Sequence, residues 1–395
     1  MKVVLKCLIA TVFVVAATGD SEGIDLTRYT FPTSTSQQAF LNGAFNFAGT
    51  SADCTQTAYN LSGSATYDLS YRSLPFSYVA SVLGNAAVSQ SSVDGADSRD
   101  GYNVRANTRA NRYFSNTQKW FGFGSVTLDY RKLQSMEEAD DPYLDVTAGL
   151  GYGRTIDATV LKQAVRLNDD FKRFNVITGD IPDEQLLELA RVIDRESEFR
   201  AEHGVVEYKK YWFEAMEQVI ESAGVLREGG LGAVGAIRVE EVLAEPTGRR
   251  YHGWEARAGV GVVLSDYDGE AGDPLASLEF DWSRPVSMEL QLNNNAYMRT
   301  VFEDDQTYTI GDVFQIYYEI TNRIDWDNSL RGEYLMMTAD GAEDALSMVF
   351  SSGFILYVEN QLTFNPTFIL SHTDPGVTDA ITDWQLLGGI SYRLK

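Results

Sequence analysis

From residue 39 to the C-terminal end, most of the chain reads with a period of two. In Val313–Arg323 one face is Phe314, Ile316, Tyr318 and Ile320, and the other is Val313, Gln315, Tyr317, Glu319, Thr321 and Arg323. In Leu275–Trp282 the residues Ala276, Leu278, Phe280 and Trp282 oppose Leu275, Ser277, Glu279 and Asp281. Alternation of this kind belongs to extended strands, whose successive side chains point to opposite faces. Fourteen such segments lie near 39–49, 60–72, 76–90, 101–114, 117–131, 142–156, 250–264, 274–283, 286–299, 307–322, 324–338, 345–358, 360–372 and 383–394. Many exceed about ten residues, where an ordinary strand has about five or six.

The connections alternate as well. Ser73-Leu74-Pro75, Ser115-Asn116, Arg284-Pro285, Arg323 and Glu359 are tight, while 91–100, 134–141, 265–273, 339–344 and 373–383 are longer and mostly acidic. One connection breaks the rhythm. Residues 157–249 read as helix: Pro182, Asp183 and Glu184 make an acidic first turn before Leu186, Leu189, Ala190 and Ile193. Trp212, Ala215, Met216, Val219 and Ala223 follow at helical spacing with Gly224 as a cap, and Val239, Val242 and Leu243 mark a helix ending at Pro246.

The two faces decide between a soluble sandwich and a barrel in lipid. The polar faces carry full charges, among them Asp68, Arg72, Arg105, Arg109, Asp129, Asp145, Arg257, Glu279, Asp281, Glu319, Arg331 and Glu333. Tyr71, Trp120, Tyr130, Tyr143, Trp254, Trp282, Trp326, Tyr357 and Trp384 stand near segment ends, as interfacial girdles do. Lipid offers the backbone no hydrogen-bond partners, so strands can cross it only as a closed barrel. The reading is an all-β antiparallel transmembrane barrel of about fourteen strands, apolar outside and charged inside.

On these features the chain resembles the Gram-negative outer-membrane β-barrel (porin-like) proteins. The resemblance covers everything beyond the N-terminus except the insert. It implies a location in the cell outer membrane, contact with lipid and lipopolysaccharide, and recognition by the barrel-assembly machinery. The last segment is similar to the assembly signal of the class, which usually ends in an aromatic residue; here Leu394 holds the apolar position and Lys395 follows. With short turns in the periplasm and an even strand count, the insert falls on the periplasmic side.

Residues 1–19 have the layout of a signal peptide: Lys2 and Lys6, an apolar run from Cys7 to Ala17, then small residues before Asp20. The organisation expected is a signal peptide at 1–19, an N-terminal periplasmic segment at 20–38, strands one to six over 39–156, the insert over 157–249, and strands seven to fourteen over 250–395. Beyond the signal only Cys54 remains, so no internal disulfide framework is expected. A net charge of −24 excludes a nucleic-acid surface.

The candidate site is the lumen. Arg72, Arg105, Arg109 and Arg131 face it with Glu279, Asp281, Glu319 and Glu333. They either form a field that selects solutes or close the pore by pairing. A second feature is glycine. Gly149, Gly151, Gly153, Gly259 and Gly261 lie inward on segments flanking the insert, leaving room either for the insert or, as preferred, for Phe121 and Phe123 to pack against bare backbone. Gly230 to Gly235 match G-x-G-x-x-G without a preceding strand, so a helix-to-helix joint is expected rather than a dinucleotide site. Glu137 to Asp141 lack calcium-loop spacing and read as solvated loop. Ser371 and His372 are adjacent and point to opposite faces, a poor catalytic pair. No catalytic residue, cofactor or metal is expected. The leading function is a channel, or an export or uptake conduit, whose insert gates the lumen or docks a periplasmic protein. A closed structural anchor comes second and an outer-membrane hydrolase third.

Overall fold

The computed structural model describes residues 24–31, 33–48, 58–91, 97–115, 119–132, 141–245, 248–269, 271–302, 306–339, 341–359, 361–376 and 378–394. The segment at 1–19, Cys54, Glu137 to Asp140 and Lys395 lie outside them. Fourteen antiparallel strands close into one barrel, each paired with its sequence neighbours. They are β1 (Ser34–Ala48), β2 (Ala58–Arg72), β3 (Phe76–Gln90), β4 (Arg99–Tyr113), β5 (Trp120–Lys132), β6 (Tyr143–Asp157) and β7 (Tyr251–Ser265). The second half comprises β8 (Pro274–Pro285), β9 (Leu290–Val301), β10 (Thr307–Thr321), β11 (Ile324–Met337), β12 (Ala345–Tyr357), β13 (Leu362–Asp374) and β14 (Ile381–Arg393). The closing ladder is short, running from Phe40 against Arg393 to Gly43 against Ile390.

The alternation survives as two chemically distinct surfaces. Leu150, Val260, Leu278, Trp120, Trp326, Phe354, Trp384 and Leu386 are exposed on the outer face. That apolar belt belongs against acyl chains, because every backbone group of a closed sheet is already paired within it. Asp312 departs from the pattern: it shares the face of Phe314 and Ile316 and accepts a hydrogen bond from Asn294 Nδ2 at 2.7 Å.

Three expectations need correction. β1 begins at Ser34, so the N-terminal segment ends before it rather than at 38. Residues 34–38 are polar on both faces, so no alternation marks them, yet they ladder with Asp68 to Arg72. The turn after β8 is 286–289, not Arg284-Pro285, because Met288 leaves the barrel wall to pack against the helical core. Tyr143 and Tyr357 are not girdle residues. Each has its hydroxyl in the lumen, bonded to Arg299 and to Asp325 Oδ2 respectively.

The insert holds four helices: α1 (Thr159–Arg173), α2 (Asp183–Asp194), α3 (Glu196–Ser222) and α4 (Gly232–Ala244). Leu161, Leu167, Phe171, Leu189, Met216, Ile220 and Val239 make its core, which Ile24, Leu26 and Tyr29 complete from before β1. The glycine run at 230–235 is the joint leading into α4. α2 starts behind Pro182 with Asp183 and Glu184 in its first turn, where carboxylates favour the positive end of the helix dipole. The insert sits at the short-turn end, together with both strand termini of the barrel.

Candidate functional site: the charged lumen and its helical cap

Near the end far from the insert, Asp129 accepts from Arg105 Nε and Asn103 Nδ2, both at 2.6 Å. Glu333 accepts from Tyr297 Oη at 2.5 Å and from Arg331 at 3.1 Å. Arg299 pairs with Asp145 at 3.0 Å. Arg131 lies flat over Tyr267, 4.0 Å from the ring centre. Halfway down, Arg109 on β4 reaches Glu279 on β8 at 2.6 Å, a bridge between strands that are not neighbours. Arg257 gathers Glu255, Glu279 and Asp281 with only 4% of its side chain exposed. Arg72 donates to the Thr155 carbonyl at 3.0 Å near the lower end.

Pairing therefore removes many of the lumen charges without filling the space. A cavity of 1010 Å³ remains, walled by Asp68, Arg72, Arg109, Asp145, Glu279 and Arg299 among others. The structure brings Arg109, Glu279 and Asp281 together through Arg257, and places Arg105 with Asp129. Arg131 stands apart at the mouth far from the insert. Glu319 belongs to the opposite end.

The inward glycines meet aromatic rings. A Cβ on Gly151 would lie 2.3 Å from the Phe121 ring, and one on Gly149 or Gly259 would lie 2.8 Å from Phe123. Phe121, Phe123 and Tyr113 form a small buried cluster inside the barrel wall. At Gly153 and Gly261 the neighbouring strand's backbone, not a helix, occupies the space.

Glu319 faces the cap. Lys162 of α1 binds it closely, Arg166 approaches at 3.5 Å and Arg250 at 3.7 Å. Arg250 is fully buried and donates to the carbonyls of Met288 and Glu289 at 2.9 Å, tying the end of the insert to the β8–β9 turn. Burial and the neighbouring Arg250 push the Lys162 ammonium down to about 8, although Glu319 opposes them. Elsewhere on the rim, Arg393 at the end of β14 donates to the Ala244 carbonyl at 3.1 Å, and Thr33 donates to Asp194 at 3.2 Å. The insert is therefore anchored at well-separated points of the rim: covalently at β6 and β7, and by contacts at β10, at β14 and just before β1.

Lys162, Arg250, Arg299 and Arg154 were not expected at the site, and Arg257 was placed on a charged inward face without a role in it. Arg299 and Arg257 sit on inward positions that alternation does mark. Lys162 and Arg250 lie in the insert, where strand parity gives no signal. Arg154 falls on an outward position by parity, but Gly153 before it has φ +115°, and the Arg154 guanidinium stacks on Tyr113 at 3.9 Å. His372 bonds Thr382 Oγ1 at 2.8 Å, while Ser371 approaches the Asp383 carbonyl, so the two do not meet.

Asp194 links the N-terminal segment to the cap. Burial, and secondarily the charge of Asp157, raise its carboxyl to about 7. The folded state then holds a proton that the unfolded chain releases above about pH 4. The stability this proton contributes is present below pH 4 and lost as pH rises to about 7. The helical circular-dichroism signal should melt at a falling temperature across that window, and Asp194→Asn should flatten the profile and raise melting at pH 8. An unchanged profile in the variant would assign the pH dependence elsewhere.

No protein-family profile matches the chain, and no curated protein does. Among solved structures, an outer-membrane channel from Pseudomonas putida F1 aligns with 95% of this chain and 98% of its own at 7% identity and TM-score 0.35. A loop-deletion form of OmpT, an outer-membrane protein of Vibrio cholerae, aligns with 92% and 99% at 7% identity and TM-score 0.33. Omp33 of Acinetobacter baumannii aligns with 92% and 99% at 7% identity and TM-score 0.31. At these values the likenesses add nothing to what the closed sheet itself shows. Fourteen paired strands, an apolar outer belt and a charged interior describe a closed β-barrel built to span a lipid bilayer.

Proposed function

We propose that the barrel is a conduit for small polar solutes, with the helical insert as a cap on its periplasmic mouth. The observation that carries this reading is the charged cavity of 1010 Å³ left inside the wall. A structural anchor has no use for such a space. The second reading, a closed anchor for an envelope assembly, draws on the Arg109–Glu279 pair that crosses the lumen and on the Arg257 pairs along its wall. The proposal also has β14 read by the assembly machinery, lipopolysaccharide against the external rim, and a periplasmic protein docking on the insert, which a pull-down on the whole protein would reveal.

Planar-bilayer recording separates conduit from anchor. A conduit conducts, more strongly when 159–244 is replaced by a short turn. An anchor is silent in both forms. In a conducting barrel, Arg105→Gln and Arg109→Gln should each shift permeability toward cations, by about fivefold for the loss of one nearby charge worth about 1 kcal/mol. An unchanged reversal potential would take both residues off the permeation path.

A further inference from the structure

Directly above the cap, the lower lumen narrows to a pocket of 220 Å³. Arg72, Arg109, Arg154 and Arg257 line it, together with the hydroxyls of Ser70 and Ser77. Arg109 and Arg257 are answered by carboxylates, and the pocket's own acids, Glu255 and Asp281, are both held by Arg257. Arg72 and Arg154 differ. Among the described residues neither has a carboxylate within ion-pair distance. Arg72 has one hydrogen bond, to the Thr155 carbonyl, and lies 4.9 Å over the Tyr251 ring. Arg154 lies 3.9 Å over Tyr113, and two of its guanidinium nitrogens are buried without a hydrogen-bond partner.

A guanidinium withdrawn from water without a counter-charge is costly, so the arrangement calls for an anion. Each tyrosine ring occupies one face of its guanidinium. What remains of each for hydrogen bonding is its in-plane N–H edge, and edges of this kind suit a group with several oxygens on one centre. The large cavity above shares Arg72, Arg109 and Tyr251 with the pocket, so a solute descending from the external side reaches it without crossing the cap.

We propose that this pocket is a binding site for an oxyanion, the phosphate or carboxylate group of a small solute. The inference deepens the conduit reading by naming its substrate class, and it rests on that reading for the ligand's route. The test uses the whole protein in detergent micelles. Inorganic phosphate, sulfate and succinate are titrated separately by calorimetry, against sodium chloride of matched ionic strength.

At least one of the three should bind saturably at a single site. Tighter binding of phosphate assigns a phosphate-bearing solute, and tighter binding of succinate a carboxylate. Arg72→Gln and Arg154→Gln should each weaken binding by about 10- to 100-fold, the usual weight of a charged hydrogen bond. Lys210→Gln, on the exposed surface of α3, should leave it unchanged. A thermal-shift series guards against misfolded variants: the bound anion should raise the unfolding temperature of the unaltered protein and lose that effect in both arginine variants. Absence of saturable binding to the unaltered protein, or full affinity in both arginine variants, overturns the site. Ion conductance without oxyanion binding removes the site and keeps the conduit. Binding in a barrel that stays silent, capped or uncapped, removes the conduit and keeps the site.

Discussion

Glu319→Gln should loosen the cap and open the barrel. Glu319 is the shared carboxylate of Lys162, Arg166 and Arg250, and among the described residues only Arg166 of these pairs with a second acid, Glu245 at 2.6 Å. The Lys162 side chain is 7% exposed and that of Arg250 is fully buried. Removing one partner of a buried ion pair costs about 3–5 kcal/mol, because the surviving charge keeps its desolvation penalty and loses its compensation. Arg250 is buffered by backbone carbonyls, so the burden falls on Lys162. Its ammonium already sits near 8, and shedding its proton is its cheapest escape. The folded form of Lys162 releases its proton more readily than the unfolded chain, so its contribution to stability grows as pH rises from about 8 to 10.5. Two results are expected of the variant. The helical signal melts well below its usual temperature while the strand signal is unaltered, and bilayer recordings show larger or more frequent openings. Lys162→Met together with Glu319→Gln should recover most of the melting temperature, since no charge is then stranded. A Glu319→Gln protein with normal melting and normal conductance would show that the cap is held by its apolar core alone.

Why the cap's attachment escapes a reading of the sequence follows from the same residues. Strand parity is a local rule. It marked Arg105, Arg109, Glu279, Asp281, Glu319 and Glu333 as inward because each sits two residues from another polar position on an otherwise apolar ladder. It placed all fourteen strands within a few residues of their observed bounds, since a belt in lipid admits few exceptions. The rule loses hold where lipid does. Residues 34–38 form a ladder outside the belt and carry no apolar face. Arg154 follows a glycine with φ +115°, a backbone conformation that the alternation of side chains does not anticipate. Which carboxylate answers which cation is not local at all: Arg109 and Glu279 are 170 residues apart, and Lys162 and Glu319 are 157 apart. Those pairs depend on the barrel's closure and on the docking of a separately folded helical unit. The glycines are intermediate. Their inward phase is legible, but the identity of the group filling their space needed the ring positions of Phe121 and Phe123.

Arg257→Met should be the most damaging single change within the barrel wall. Arg257 lies against Glu255 and Asp281, reaches Glu279 at 3.1 Å, and has 4% of its side chain exposed. Glu279 retains Arg109 and is 35% exposed, so water and the second arginine soften its loss. Among the described residues, Glu255 keeps hydrogen bonding from the Thr155 amide, at 3.0 Å, and Asp281 from the Asn295 amide, at 2.6 Å. Both carboxylates would then lose the arginine that bonds them directly, with no other ion pair among the described residues, and stranding buried charges in this way costs about 3–5 kcal/mol. Met matches the aliphatic stem of the lost side chain, so the packing of the stem is kept and the loss of the guanidinium charge dominates. The measurement is heat-induced unfolding of the folded barrel, read as its mobility shift on gel electrophoresis. The variant should unfold at a markedly lower temperature or accumulate in unassembled form. Arg257→Lys should fall between the two, since one ammonium cannot reach the three acids that a planar fork reaches. The decisive comparison adds Glu255→Gln and Asp281→Asn to Arg257→Met. With the repulsion gone and the amides still able to bond Thr155 and Asn295, most of the stability should return. If the triple variant is as unstable as the single one, the arginine acts by filling space, and the charge network of the lower lumen is incidental to the fold.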